Sequence, residues 1–344
     1  MEHSLYVLLV LLDYGTHAGT YGTNSPTERP TDGTNSIGYN AFRVLLRDIH
    51  SPSDYNFIIQ GFLRLFTCMH NHYTVTQQSP SILSMATLSI STYSYTQITC
   101  IQELIFLLWS FINENTYFLS YCMIHHSNEL LDIVVIILNS MLSNRHISKQ
   151  ANYIYLCTFI LLRLSQERSF SLLLNTPYNT TTNPNPNPNN SSSTNPKPSI
   201  QLISNELSLF HGTYGDLYYI VICKLINTTD IQYYNINHCL LSTMSNTSPY
   251  IKYICPTTAL KLILLYERLS DIDYLCNKES NYIHLSLLVD VYRNIIQYQF
   301  DANPAVLYSI YKSKEKFIRF HRYQLDPDAI ELPVGIGIGG SSSG

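Results

Sequence analysis

"HLSLLVDVYRNIIQYQFDANPAV" (residues 284–306) carries two helical patterns separated by a corner. Leu285, Leu288, Val291, Tyr292, Ile295 and Ile296 recur at intervals of three and four, which lays one apolar stripe along a helix. The stripe ends at Gln297, Tyr298 and Gln299, polar or half-polar side chains expected to fix the corner by hydrogen bonds. Asn303-Pro304 then restarts the helical pattern, because proline at the first helical position gives up an N–H that would be unpaired anyway. The stretch predicts two packed helices joined at 301–304, not one broken helix.

The same period recurs along the chain and predicts helices near 3–13, 40–49, 54–68, 97–121, 127–143, 148–167, 213–227, 231–246, 249–269, 280–299 and 304–320. No run of strict alternation argues for a strand. Thr213 and Asp216 stand at capping-box spacing, with Asp in place of the usual Glu. Ser248 followed by Pro249 reads as a second helix start. Helices of this length and spacing predict an all-α fold, an α-solenoid of armadillo/HEAT-like stacked pairs, with a compact bundle as the other solution. The helical-repeat domain is expected over 1–334, interrupted by flexible polar inserts at 14–39, 70–96 and 179–200 and followed by a disordered tail at 335–344.

Charged residues make up only 13% of the 344, against about 25% in ordinary soluble domains, while apolar residues make up 45%. A formal net charge of -4 and scattered cations argue against nucleic acid as a partner. Eight cysteines (68, 100, 122, 157, 223, 239, 255 and 276) without close pairing predict reduced thiols and a cytosolic setting. The sequons at Asn179, Asn190, Asn227 and Asn246 are expected by chance in so Asn/Ser/Thr-rich a chain. The run "LYVLLVLL" (5–12) lacks the basic flank and small-residue cleavage site of a signal peptide, and the apolar runs at 104–112, 130–138 and 153–164 stop short of the roughly 20 residues that span a bilayer. They predict buried helices, with an integral membrane protein as the competing reading.

Candidate chemistry is sparse. "CMHNH" (Cys68, His70, His72) and "CMIHH" (Cys122, His125, His126) contain zinc-ligating residue types, so two half-sites meeting in space would make a metal-dependent enzyme. The blander reading, histidines at helix C-termini, needs no metal. "DYGTHAGTYG" (13–22) lacks the spacing of a phosphate loop, and no G-x-S-x-G elbow occurs. No catalytic residue, cofactor or metal is assigned. "KSKEKFIRFHR" (312–322) gathers Lys312, Lys314, Lys316, Arg319 and Arg322 against one Glu315, a candidate contact for an anionic membrane or an acidic partner.

Five stretches, in order, resemble the high-temperature-induced dauer formation family, relatives of the dymeclins: "SQERSF" (165–170), "LNTPY" (174–178), "FHGTYGDL" (210–217), "SPYIK" (248–252) and "NIIQYQFDAN" (294–303). "DIHSPSDYNFIIQGFLRLF" (48–66) and "SNELLDIVVIIL" (127–138) are similar to it as well, so the resemblance spans about 40–325 with 70–96 excepted. It is a resemblance to the middle of family members, with an Asn/Pro-rich insertion between "LNTPY" and "FHGTYGDL". The lipidated N-terminal Gly of the family is not matched, since Glu2 follows Met1, and the chain is expected to be a fragment or a truncated gene model. The resemblance implies a non-enzymatic, cytoplasmic protein bound peripherally to the Golgi and trans-Golgi network. It implies a role in cargo sorting and secretory vesicle formation, with other secretory-pathway proteins as partners.

Overall fold

Among the described residues the apolar periodicity is realised as fourteen helices. This computed structural model describes residues 2–13, 40–77, 100–145, 147, 151–178, 212–228, 234–278 and 280–318. The expected inserts at 14–39 and 179–200 and the tail at 335–344 lie outside the described residues. In order the helices are α1 (Glu2–Asp13), α2 (Ala41–Asp48), α3 (Pro52–Gln77), α4 (Ile101–Glu114), α5 (Thr116–His125), α6 (Ser127–Asn144), α7 (Ala151–Ser165) and α8 (Arg168–Leu173). After a short ribbon come α9 (Tyr214–Thr228), α10 (Tyr234–Thr247), α11 (Pro256–Leu269), α12 (Ile272–Asn277), α13 (Asn281–Tyr298) and α14 (Pro304–Lys312).

Two rows organise these helices. One runs α1, α4, α7, α10, α13, and the other α3, α6, α9, α11, α14, each helix packing on the next of its row. The rows meet where α3 touches α4, α6 touches α7, α9 touches α10 and α11 touches α13. One apolar core runs between them from Leu12 to Val306. α6 is buried on nearly every face from Leu130 to Leu142, which explains why its sequence shows little amphipathic contrast. Two of the buried tyrosines pair their hydroxyls inside the core, Tyr219 donating to Met244 O at 3.0 Å and Tyr153 to Ser140 Oγ at 2.7 Å, whereas the Tyr218 and Tyr292 hydroxyls are buried without a hydrogen-bond partner among the described residues.

Several boundaries depart from expectation. The helix expected over 97–121 is two, because Asn115 takes extended backbone (φ -116°, ψ 92°) between α4 and α5. Its amide reaches α2's end, donating to Leu46 O at 2.9 Å and Ile49 O at 2.8 Å, while its Oδ1 accepts from Phe118 N–H at 2.8 Å. The insert expected from residue 70 is helical to Gln77, since a nucleated helix adds a backbone hydrogen bond per residue even through indifferent side chains. The helix expected over 148–167 ends at Ser165, and a turn leads into α8. That expected over 304–320 breaks at Ser313 and resumes over 314–318. Ile296 leaves the stripe it was assigned to: its five companions are buried, and it lines an open groove with Ile310 and Phe317.

A two-residue antiparallel ribbon, β1 (Pro177–Tyr178) with β2 (Gly212–Thr213), was not anticipated. Tyr178 stands opposite Gly212, so the chain leaves and re-enters the fold at neighbouring points. Replacing the expected insert, residues 179–200, by a short Gly/Ser linker is therefore expected to leave the thermal midpoint within about 2 °C of the parent, because the two strands of the ribbon already stand side by side. A larger fall in a melting experiment contradicts this.

Candidate functional site

Residues 248–255 link α10 to α11 without a helix, although Ser248-Pro249 was expected to begin one. The chain here runs between packed helices, where each backbone N–H and C=O needs a partner. Side chains from three other segments supply them. Asn175 donates from Nδ2 to Tyr250 O at 2.9 Å and accepts Lys252 N–H on Oδ1 at 2.7 Å. Asn303, fully buried, donates to Ile251 O at 2.9 Å and to Gln299 O at 3.1 Å, and accepts Ile254 N–H at 3.0 Å. Gln299 donates to Pro249 O at 2.7 Å, and Asn294 donates to Ser248 Oγ at 3.0 Å. Tyr253 N–H is taken by Ala302 O at 3.1 Å.

Asp216 completes the clamp. Its Oδ1 accepts Cys255 N–H at 2.8 Å, and its Oδ2 accepts Thr213 N–H at 3.0 Å, while Thr213 Oγ1 accepts Asp216 N–H at 3.1 Å. The predicted capping box therefore forms, and its spare carboxylate oxygen holds the next loop. Gly215 fits between them because a Cβ there would sit 3.1 Å from Leu174 O and 3.2 Å from Ile251 Cδ1. With its backbone so held, the link cannot turn helical at Pro249, and α11 starts at Pro256, itself an N-terminal proline. Tyr253 is left at φ 62°.

Of the corner residues read from sequence, Gln299 does what was expected, whereas Gln297 and Tyr298 are exposed. Asn175, Asn294 and Asn303 carry the rest. The signal for them was slight: Asn303 stands beside Pro304, Asn175 two residues before Pro177, and Asn294 within the apolar stripe. The same device recurs at the N-terminal end. Asn40 donates to Leu11 O and Leu12 O, both at 2.9 Å, and accepts Phe42 N–H at 2.9 Å. Arg47 and Arg43 pair with Glu114 beside Asn115.

The other candidates fare differently. Lys316 is ion-paired with Glu267, Lys314 lies 5.4 Å over the Tyr311 ring, and Lys312 is exposed; Arg319 and Arg322 lie outside the described residues. Phe317 stacks on Tyr266 at 4.1 Å, so the 314–318 turn is folded back onto α11. Cys68 is exposed on α3 and His70 buried, Cys122 is buried in α5, His125 packs on Tyr121, and His126 faces Glu129 at 3.8 Å. The side chain of His72 lies outside the described ones, and among the described residues no three His, Cys, Asp or Glu converge on a metal position. Burial pushes the Cys122, Cys157 and Cys223 thiols up to about 12, away from thiolate chemistry. All eight cysteines are free thiols. Among the described residues no single helix is long and apolar enough to cross a membrane, and α5 with α6 would qualify only as a pair bent by 106°.

The clamp joins the stretches quoted above: "LNTPY" gives Asn175, "FHGTYGDL" gives Asp216, "SPYIK" is the segment held, and "NIIQYQFDAN" gives Asn294, Gln299 and Asn303. The model of the family described as high-temperature-induced dauer-formation protein matches residues 1–333. The chain belongs to that family. The match extends the stretch seen as similar from 40–325 to nearly the whole chain. The mouse protein named Protein HID1 is 30% identical over 333 residues, covering 96% of this chain and 37% of the relative. The human Protein HID1 is 29% identical over the same shares, and that of Dictyostelium discoideum is 25% identical over 86% of this chain and 28% of its own length. This chain thus spans between about a quarter and little more than a third of the length of the curated relatives it matches. No solved structure matches it.

Two outcomes follow for the family fold. Asn303→Ala strands Ile251 O, Gln299 O and Ile254 N–H between helices, at a cost of about 3 kcal/mol in chemical denaturation after partial relaxation. A loss under about 1 kcal/mol contradicts the clamp. His284, buried on α13 with its Nδ1 2.7 Å from the Tyr274 hydroxyl, is held down to about 4 by burial first, then by His238 and Lys278. A folded value below the ordinary 6.5 means the unfolded chain takes the proton first as pH falls. Stability is then full above pH 6.5 and declines toward pH 4, by about 3 kcal/mol relative to a His284→Asn variant measured alongside. Parallel curves for the two proteins contradict it.

Proposed function

We propose that this chain is the helical-repeat part of a non-enzymatic scaffold acting at the cytoplasmic face of the Golgi and trans-Golgi network, in cargo sorting and secretory vesicle formation. Its two rows read as an armadillo-like solenoid, because each helix packs on the one that follows it in its row and the core extends with the number of pairs. The observation that carries the non-enzymatic reading is where the family motifs spend their polar groups. Asn175, Asp216, Gln299 and Asn303 are all bonded to backbone, and none is left over to meet a substrate. A scaffold needs this rigidity, since a surface that is fixed in advance binds without an ordering cost. Peripheral attachment follows from helices that satisfy one another sideways, and the partners are other secretory-pathway proteins.

The full-length protein containing this chain, tagged in cells whose trans-Golgi network is labelled, is expected to overlap that label and to be released from membranes by alkaline carbonate. A diffuse distribution overturns the Golgi reading. Retention in the carbonate-washed pellet overturns the peripheral one and favours the α5–α6 pair as a membrane segment.

A further inference from the structure

Tyr253 is the residue whose conformation the fold does not reward. Among the described residues it alone, glycine aside, has positive φ, 62°, a region where a Cβ crowds the following carbonyl and where Gly or Asn sits at little cost. Strain of this kind persists only where the surroundings dictate it. Here they do: Asn175 holds the residue before, Asn303 the residue after, and Ala302 O the Tyr253 N–H itself. The clamp explains the backbone but not the side chain. The Tyr253 ring is 68% exposed, and it makes no ring, cation or hydrogen-bond contact with the described residues.

The same link and the segments bonded to it carry aromatic and cationic groups. Phe300, two residues before Ala302, is 54% exposed. Arg168 lies 5.7 Å over the Tyr250 ring, and Lys252 precedes Tyr253; neither has a carboxylate partner among the described residues. The corner itself adds one acidic group, Asp301.

We propose that this corner docks an acidic, apolar-anchored segment of a protein partner, with Tyr253 as the anchor and Arg168 and Lys252 reading the partner's carboxylates. Tyrosine on a pre-set backbone is the side chain that concentrates binding energy in protein interfaces, because it buries a large area while losing few rotamers. An anionic membrane is the weaker occupant. Lipid recognition draws on clusters of about four to eight cations, and the corner offers two. The inference rests on the scaffold reading, and its failure is separable: a protein absent from the Golgi can still bind peptide here, and a Golgi protein can fail to.

The test compares the chain with Tyr253→Asn and with Arg168→Glu/Lys252→Glu. The probes are a pool of peptides with Phe or Leu flanked by Asp and Glu, and the same pool with Asn and Gln, read by fluorescence anisotropy. The parent chain is expected to bind the acidic pool at least tenfold more tightly than the amide pool. Tyr253→Asn is expected to weaken that binding at least tenfold while its thermal midpoint holds or rises. The double charge reversal is expected to abolish the preference for acid.

Equal binding of the two pools by the parent, or unchanged binding by Tyr253→Asn, overturns the proposal. So does a midpoint lowered by more than about 2 °C in Tyr253→Asn, which would give the ring a packing role. Tyr253-dependent sedimentation with phosphatidylserine vesicles, without peptide binding, reassigns the corner to a membrane and overturns it too.

Discussion

A backbone that must leave one helix and enter another between packed neighbours carries N–H and C=O groups that water cannot reach. In this protein they are met by buried or half-buried amide side chains. Asn40, Asn115, Asn175 and Asn303 each donate to one or more carbonyls of a distant turn and accept a backbone N–H. An amide can do both at once, and it does so without the desolvation cost of a buried charge. Where only N–H groups converge, as at Thr213 and Cys255, a carboxylate serves, and Asp216 is there. The helix rows depend on these clamps, because they set where each helix ends and at what angle the next begins.

That choice accounts for the unusual composition. A chain with 13% charged residues and an abundance of Asn has exchanged surface ion pairs for neutral hydrogen bonds at its corners. Some ion pairs among the described residues reinforce the same places: Arg43 and Arg47 meet Glu114 next to Asn115, and Arg163 meets Glu167 at the end of α7. It also bears on function. Side chains bonded to backbone on both sides fix where the segments carrying the family motifs meet.

The all-α architecture was legible because helical periodicity is local: the stripe in α13 and the Thr213–Asp216 box are read within a few residues. Helix ends were legible only where the cap was local too. The break at Asn115 and the delayed start of α11 are set by contacts to residues roughly fifty to seventy positions away, which no window along the chain contains. Ser248-Pro249 had the local form of a helix start, and tertiary pairing overrode it. The motif series marked the right segments without showing that they meet. Tyr253, whose backbone angle is imposed from both neighbours, gave no sign in the sequence at all.

Native-state hydrogen exchange at the amides of Lys252, Tyr253, Ile254 and Cys255 addresses the central claim most directly, since these four lie outside any helix yet are each bonded to a distant residue. They are predicted to exchange as slowly as the buried amides of α9 and α13, opening only with the whole fold. Exchange at the rate of an ordinary surface turn would contradict the account.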